Sequence, residues 1–98
     1  MTIDKKQDGG ALTIALGGRL DTTTAPELEQ EIKSSLSGIT ALTFDMAKLD
    51  YISSAGLRVL LSAQKAMTKQ GEMKLIHVSE LVQEVFEVTG FSDILTIE

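Results

Sequence analysis

Apolar residues recur at every second position in some stretches of the chain and at every third or fourth in others, and the contrast lays out an order of elements. In Ala11 to Leu16, Leu12, Ile14 and Leu16 alternate with Ala11, Thr13 and Ala15, the period of a strand with its bulky side on a core. Leu42, Phe44 and Met46 alternate in the same way within Ile39 to Met46. Met1 to Gln7 precedes them as a short first strand, and Asp8-Gly9-Gly10 supplies a hairpin turn. The pair Gly17-Gly18 is expected to end the second strand as an exit or a bulge. It lacks the third glycine and the Lys-Ser/Thr of a phosphate loop.

Helical spacing takes over after Thr22-Thr23-Thr24. Thr24 and Glu27 have the spacing of a capping box, with Pro26 in the first turn, where its missing N–H costs nothing. Ala25, Leu28, Ile32, Ser35 and Leu36 form the inward stripe, and acidic residues crowd the first half, as the helix dipole favours. A second helix starts at Ser54 and runs to Lys69. Gly56, Leu60, Ala63 and Met67 face inward, while Arg58, Ser62, Lys65 and Lys69 lie on the opposite side. Met73 to Val78 reads as a strand. Ser79 and Glu80 open a last helix through Val88, with Leu81, Val82, Val85 and Phe86 expected inward, Gly90 closing it and Ile94 to Ile97 adding a final short strand.

The order β-β-α-β-α-β-α-β predicts an α/β fold: a mixed, mostly parallel sheet of four to five strands flanked by helices, in one domain spanning residues 1–98. The unit of strand 39–46, helix 54–69 and strand 73–78 should be a right-handed crossover. Composition narrows the partners. Nine basic against fourteen acidic residues give a formal charge of −5, which disfavours nucleic acid. There is no cysteine and one histidine, so neither a disulfide nor a metal site is expected. No run approaches the roughly 20 apolar residues that span a bilayer, and a cytoplasmic, soluble protein without cofactor is expected.

Leu49 to Leu61 is the joint on which this order turns, a strand arriving and a helix leaving with Ser53 and Ser54 between them. In parallel sheets such joints are where ligands and chemistry sit, because the first amides of the helix point outward unpaired. One serine is expected to cap the helix, contributing about 1 kcal/mol. The other can accept a phosphate, whose charge the helix start tolerates. A nucleophilic enzyme is the rival, but Ser53-Ser54-Ala55-Gly56 is not the Gly-x-Ser-x-Gly elbow, and the sequence identifies no acid to orient His77. The expectation is a protein that is not an enzyme.

Tyr51 to Leu61, together with Gly18-Arg19-Leu20-Asp21 and Val88-Thr89-Gly90-Phe91, resembles the STAS domain of bacterial anti-sigma factor antagonists, in matching order over nearly the whole chain. The resemblance implies a protein that binds an anti-sigma factor serine kinase and frees a sigma factor. It further implies that phosphorylation of the loop serine switches the protein off and that a PP2C-type phosphatase restores it. The family's Asp-Ser-Ser/Thr-Gly-Leu core falls on Ser53-Ser54-Ala55-Gly56-Leu57, which makes Ser54 the phosphoacceptor and Ser53 the less favoured one. Ser53 stands where many members have an aspartate, and Ala55 where many have a hydroxyl. Asp21 matches the family's acidic position, and Thr22, Thr23, Ile52, Ser53, Ser54, Leu57 and Arg58 flank the two matched loops as expected partner contacts. The alternative within the same family is a scaffold subunit of a membrane transporter or sensory complex. A monomer or weak dimer, with no direct membrane insertion, is expected in either case.

Overall fold

The structure, a computed structural model, describes residues 1–98. Strands β1 (Thr2–Asp8) and β2 (Ala11–Leu20) form the hairpin, followed by α1 (Ala25–Ser35), β3 (Ala41–Ile52), α2 (Ser54–Thr68), β4 (Glu72–Ile76), α3 (Glu80–Thr89) and a single 3-10 turn at Phe91–Asp93. The sheet order is β1-β2-β3-β4, with β1 antiparallel to β2 and the other neighbours parallel. This is the α/β arrangement that the order of elements implies. The expected final strand shrinks to one bridge: Leu75 donates to the Thr96 carbonyl, and Glu98 donates to the Leu75 carbonyl.

Register explains where the core sits. Leu12 pairs with Leu42 and Leu42 with Met73; Ile14 pairs with Phe44 and Phe44 with Leu75, so rows of bulky side chains share one face, and all six are buried. The rows between them, Ala11-Ala41-Glu72 and Thr13-Thr43-Lys74, are half-buried or exposed. Leu28, Ile32, Leu60, Ala63, Met67, Val82 and Phe86 join the strand rows in one cluster, so all three helices cover the same face of the sheet. Successive right-handed crossovers running in one direction across a sheet place their helices that way.

Both central strands run longer than their alternation suggests. β2 passes through Gly17-Gly18 instead of ending there, with register shifts between Ala15 and Gly17 and again between Gly18 and Arg19. Gly18 takes φ +87°, a conformation that an L side chain resists, and so lets the strand bulge without stopping. On β3 the same shifts move the buried positions from Leu42, Phe44 and Met46 to Leu49 and Ile52, which breaks the period-2 pattern while the pairing continues. Gln70 ties the far end together: its Nε2 donates to the carbonyls of Leu36 at 2.7 Å and Ile39 at 2.6 Å.

α3 starts and stops where the chain signals it, with Ser79 accepting from the Val82 amide at 3.3 Å and Gly90 at φ +81°. Its inward side is narrower than expected. Val82 and Phe86 are buried, but Leu81 is 57% exposed and Val85 only half-buried, because 100° steps from Phe86 carry Leu81 round to the outer side. Phe86→Ala should therefore cost about 3–5 kcal/mol, and Leu81→Ala less than about 0.5 kcal/mol, in urea unfolding. Equal losses would show that Leu81 is packed as closely as Phe86 and contradict this orientation.

Candidate functional site at the ends of the central strands

The site is built by the parallel ends of β2 and β3. Leu20 pairs with Ile52, and the Ser53 amide donates to the Leu20 carbonyl at 2.9 Å, so the loop after β2 lies beside the start of α2. Gly56 is the close approach between them: a Cβ there would meet Leu20 Cγ at 2.6 Å and Ile52 Cγ1 at 2.9 Å. Asp21, Thr22, Thr23, Ser53, Ser54 and Arg58 come together around this junction. Ile52 and Leu57 do not join that surface. They are 3% and 4% exposed, and as core residues they support the loop from beneath instead of offering contacts.

The two serines have different surroundings. Ser53 occupies the cap position of α2 with extended backbone, φ −103° and ψ 176°, yet its side chain makes no capping hydrogen bond. Its Oγ is enclosed and without a partner. The expected cap is thus absent, although Leu57 still donates to the Ser53 carbonyl at 3.0 Å. Ser54, the first residue of the helix, is exposed. Arg58 follows one turn later on the exposed side, with no ion-pair partner on a helix that holds no carboxylate. Between α1 and α2 a depression of about 410 Å³ is lined by Thr22, Ala25, Pro26, Ala55, Arg58 and Val59 among others.

The side-chain cap expected of Thr24 is absent, and Asp21 instead holds the turn that leads into α1. Its Oδ1 accepts from the amides of Thr23 at 3.0 Å and Thr24 at 3.2 Å, and Ala25 donates to its carbonyl at 2.8 Å. Thr24 is unavailable as a cap because its Oγ1 accepts from the Asp21 amide and donates to the Arg19 carbonyl at 2.8 Å. The Thr24 amide, more than any other group, holds the Asp21 carboxyl below its ordinary range, with the Thr23 amide and the Arg19 charge adding to it. Arg19 Nε lies 3.6 Å from Asp21 Oδ2, and the guanidinium sits 4.2 Å over the Tyr51 ring, a cross-strand neighbour. The sequence signal for this cluster was Gly18-Arg19-Leu20-Asp21, but nothing in it indicated the stacking on Tyr51.

His77 has the acid that the sequence did not identify. Its Nδ1 lies 3.0 Å from Asp45 Oδ1, and this hydrogen bond is the main reason the Asp45 carboxyl is held low. The pair stands where β4 ends, opposite Asp45, whereas β3 continues to Ile52. At about 3.3 Å per residue that leaves roughly 25 Å of strand between Asp45 and Ser54, so the pair cannot serve as base for Ser54. No group of three or more His, Cys, Asp or Glu converges anywhere in the chain, and no helix is long and apolar enough to cross a membrane.

Comparison with known proteins identifies the family. Residues 2–98 match the STAS domain, and the chain belongs to that family. BtrV of Bordetella bronchiseptica, assigned as an anti-sigma factor antagonist, is 38% identical over 99% of this chain and 84% of its own length. The anti-sigma-B factor antagonist of Listeria monocytogenes is 33% identical over 96% of this chain and 84% of its own. Among solved structures, the anti-sigma factor antagonist SpoIIAA of Bacillus superposes in its unphosphorylated form with TM-score 0.78 at 17% identity, covering 99% of this chain and 87% of that one. Its phosphorylated form superposes with TM-score 0.77 at 17% identity, covering 99% and 91%.

The hydrogen bonds that Asp21 accepts in this turn make a prediction about pH. A carboxyl whose folded pKa is depressed stabilises the fold above its unfolded pKa of about 3.9 and loses that contribution as pH falls through the folded value. Asp21→Ala should lower the urea midpoint at neutral pH, and the gap to the parent should close as pH falls below about 4. A gap that stays constant down to about pH 2 would contradict the carboxylate's role.

Proposed function

We propose that this protein is an anti-sigma factor antagonist, switched by phosphorylation at Ser54. The observation that carries the reading is the contrast between the two serines: the Ser54 hydroxyl is open at the first position of α2, and the Ser53 hydroxyl is enclosed. A partner that is both anti-sigma factor and serine kinase docks over the junction of Asp21 to Thr23 with Ser53, Ser54 and Arg58. Sequestering that partner frees its sigma factor. The setting is cytosolic.

In the phosphorylation step, Ser54 Oγ attacks the γ-phosphorus of the ATP held by the kinase. The Oγ–P bond forms, the bond to ADP breaks, and the hydroxyl proton passes to a base of the kinase. The domain supplies an accessible hydroxyl on a rigid mount, and its own His77 takes no part. Near pH 7 the phosphate adds close to two negative charges at a helix start, where the dipole and outward amides favour an anion. A docked partner loses its fit to the loop through bulk, charge and desolvation, while the core stays packed. The likeness of this chain to SpoIIAA in both its unphosphorylated and phosphorylated forms is in keeping with an unchanged fold. A PP2C-type phosphatase resets the switch by directing water onto phosphorus, which returns the Ser54 hydroxyl and releases inorganic phosphate.

Mass spectrometry after incubation with the cognate kinase and ATP should find one phosphate, on Ser54, and none in Ser54→Ala. Ser54→Asp should weaken kinase binding at least tenfold, about 1.4 kcal/mol, while Ser54→Ala keeps it. A phosphate retained in Ser54→Ala, or capture of a transporter subunit in place of a kinase, would reverse the reading.

A further inference from the structure

α3 presents an apolar ridge that stands mostly outside the core and apart from the Ser54 surface. Leu81, Val85 and Val88 recur at i, i+4 and i+7. Leu81 is 57% and Val88 81% exposed, and a shallow depression lined by Leu81, Glu84, Val85, Val88 and Thr89 follows them. The helix is anchored by Val82 and Phe86, with half-buried Val85 at the edge of the core, so Leu81 and Val88 are left outside its packing. At about 100° per residue, Glu80, Glu84 and Glu87 fall together along one side of the ridge. None of these carboxylates is in an ion pair, and α3 carries no Lys or Arg.

These charges select the occupant. Two α3 ridges packed antiparallel would bring both rows of glutamates into one seam, where like charges oppose association, and packed parallel would leave each row facing no cation, since α3 carries no Lys or Arg. The cationic side of α2 in a second copy carries Arg58, Lys65 and Lys69 without an apolar stripe, since Leu57, Leu60, Ala63 and Met67 are buried. An anionic bilayer is repelled by the same carboxylates. What remains is a surface that joins apolar contact to positive charge.

We propose that the α3 ridge docks a cationic amphipathic helix of a partner protein, with apolar residues at i, i+4 and i+7 and Lys or Arg along one side of them. From Leu81 to Val88 the ridge is about 10 Å long at 1.5 Å per residue, which matches two turns of such a helix. It shares no residue with the depression beside Ser54, so this contact persists whether or not Ser54 is modified.

The test is an amide NMR titration of the full chain with a short Leu/Lys peptide that has its leucines at i, i+4 and i+7, alongside a Ser/Lys peptide of equal charge. Perturbations should centre on Leu81, Glu84, Val85 and Val88. Affinity should fall at least tenfold for the Ser/Lys peptide, for Val88→Ser and for Glu84→Lys, both variants being at exposed positions that leave the fold intact. Equal binding of the two peptides, perturbations centred elsewhere, or no binding at all would overturn the proposal. So would a concentration-dependent dimer in sedimentation that Val88→Ser abolishes, because the ridge would then be covered by a second copy.

Discussion

Parallel pairing of β2 with β3 holds Leu20 opposite Ile52, and everything at the candidate site hangs on that register. Because the two strands end together, the chain leaving β2 turns at Asp21 beside the chain entering α2 at Ser54. The Ser53 amide, bonded to the Leu20 carbonyl, fixes their separation. Gly56 permits the closeness, since any larger residue would press on Leu20 and Ile52. The register is strongly specified because it also aligns the buried rows Leu12-Leu42-Met73 and Ile14-Phe44-Leu75. A slip by one residue would turn every one of those side chains away from the helices.

What the chain disclosed in advance follows from which interactions are local. Helix spacing, Ser79 and Gly90 as caps, and the alternation in β2 and the first half of β3 are properties of neighbouring residues, and they were legible. The second half of β3 was not, because bulges change which side chain faces the core without ending the pairing. The capping box at Thr24 failed for a related reason: its hydroxyl is committed to backbone groups of Asp21 and Arg19, a preference that only the folded turn reveals. Leu81 is hydrophobic yet stands about 140° round the helix from Phe86, an angle that residue type alone does not show. The Asp45–His77 pair joins residues 32 positions apart on neighbouring strands, and no local pattern announces such a contact.

The same division runs through the site. Ser54 was legible as the start of a helix and Arg58 as part of that helix's outward side, and the resemblance to a known family singled out Asp21. Burial could not be read that way. Ile52 and Leu57 flank the matched motif yet belong to the core, and Ser53, adjacent to Ser54, turns its hydroxyl into the protein. Ser53 keeps the extended backbone of the chain arriving from β3 and Ser54 is the first helical residue, so their side chains leave in different directions and one is enclosed while the next is open.

Under the proposed function the domain is a rigid platform on which the Ser54 hydroxyl is modified and the surface, not the fold, changes. Amide spectra of the protein with and without a phosphate on Ser54 test that most directly. Shifts confined to Ser53–Arg58 and the adjoining Asp21–Thr24 turn, with hydrogen exchange in β2, β3 and α3 unaltered, are the predicted result. Changes spreading through β4 and α3, or loss of exchange protection in the central strands, would contradict it and point to a switch that works by rearranging the core.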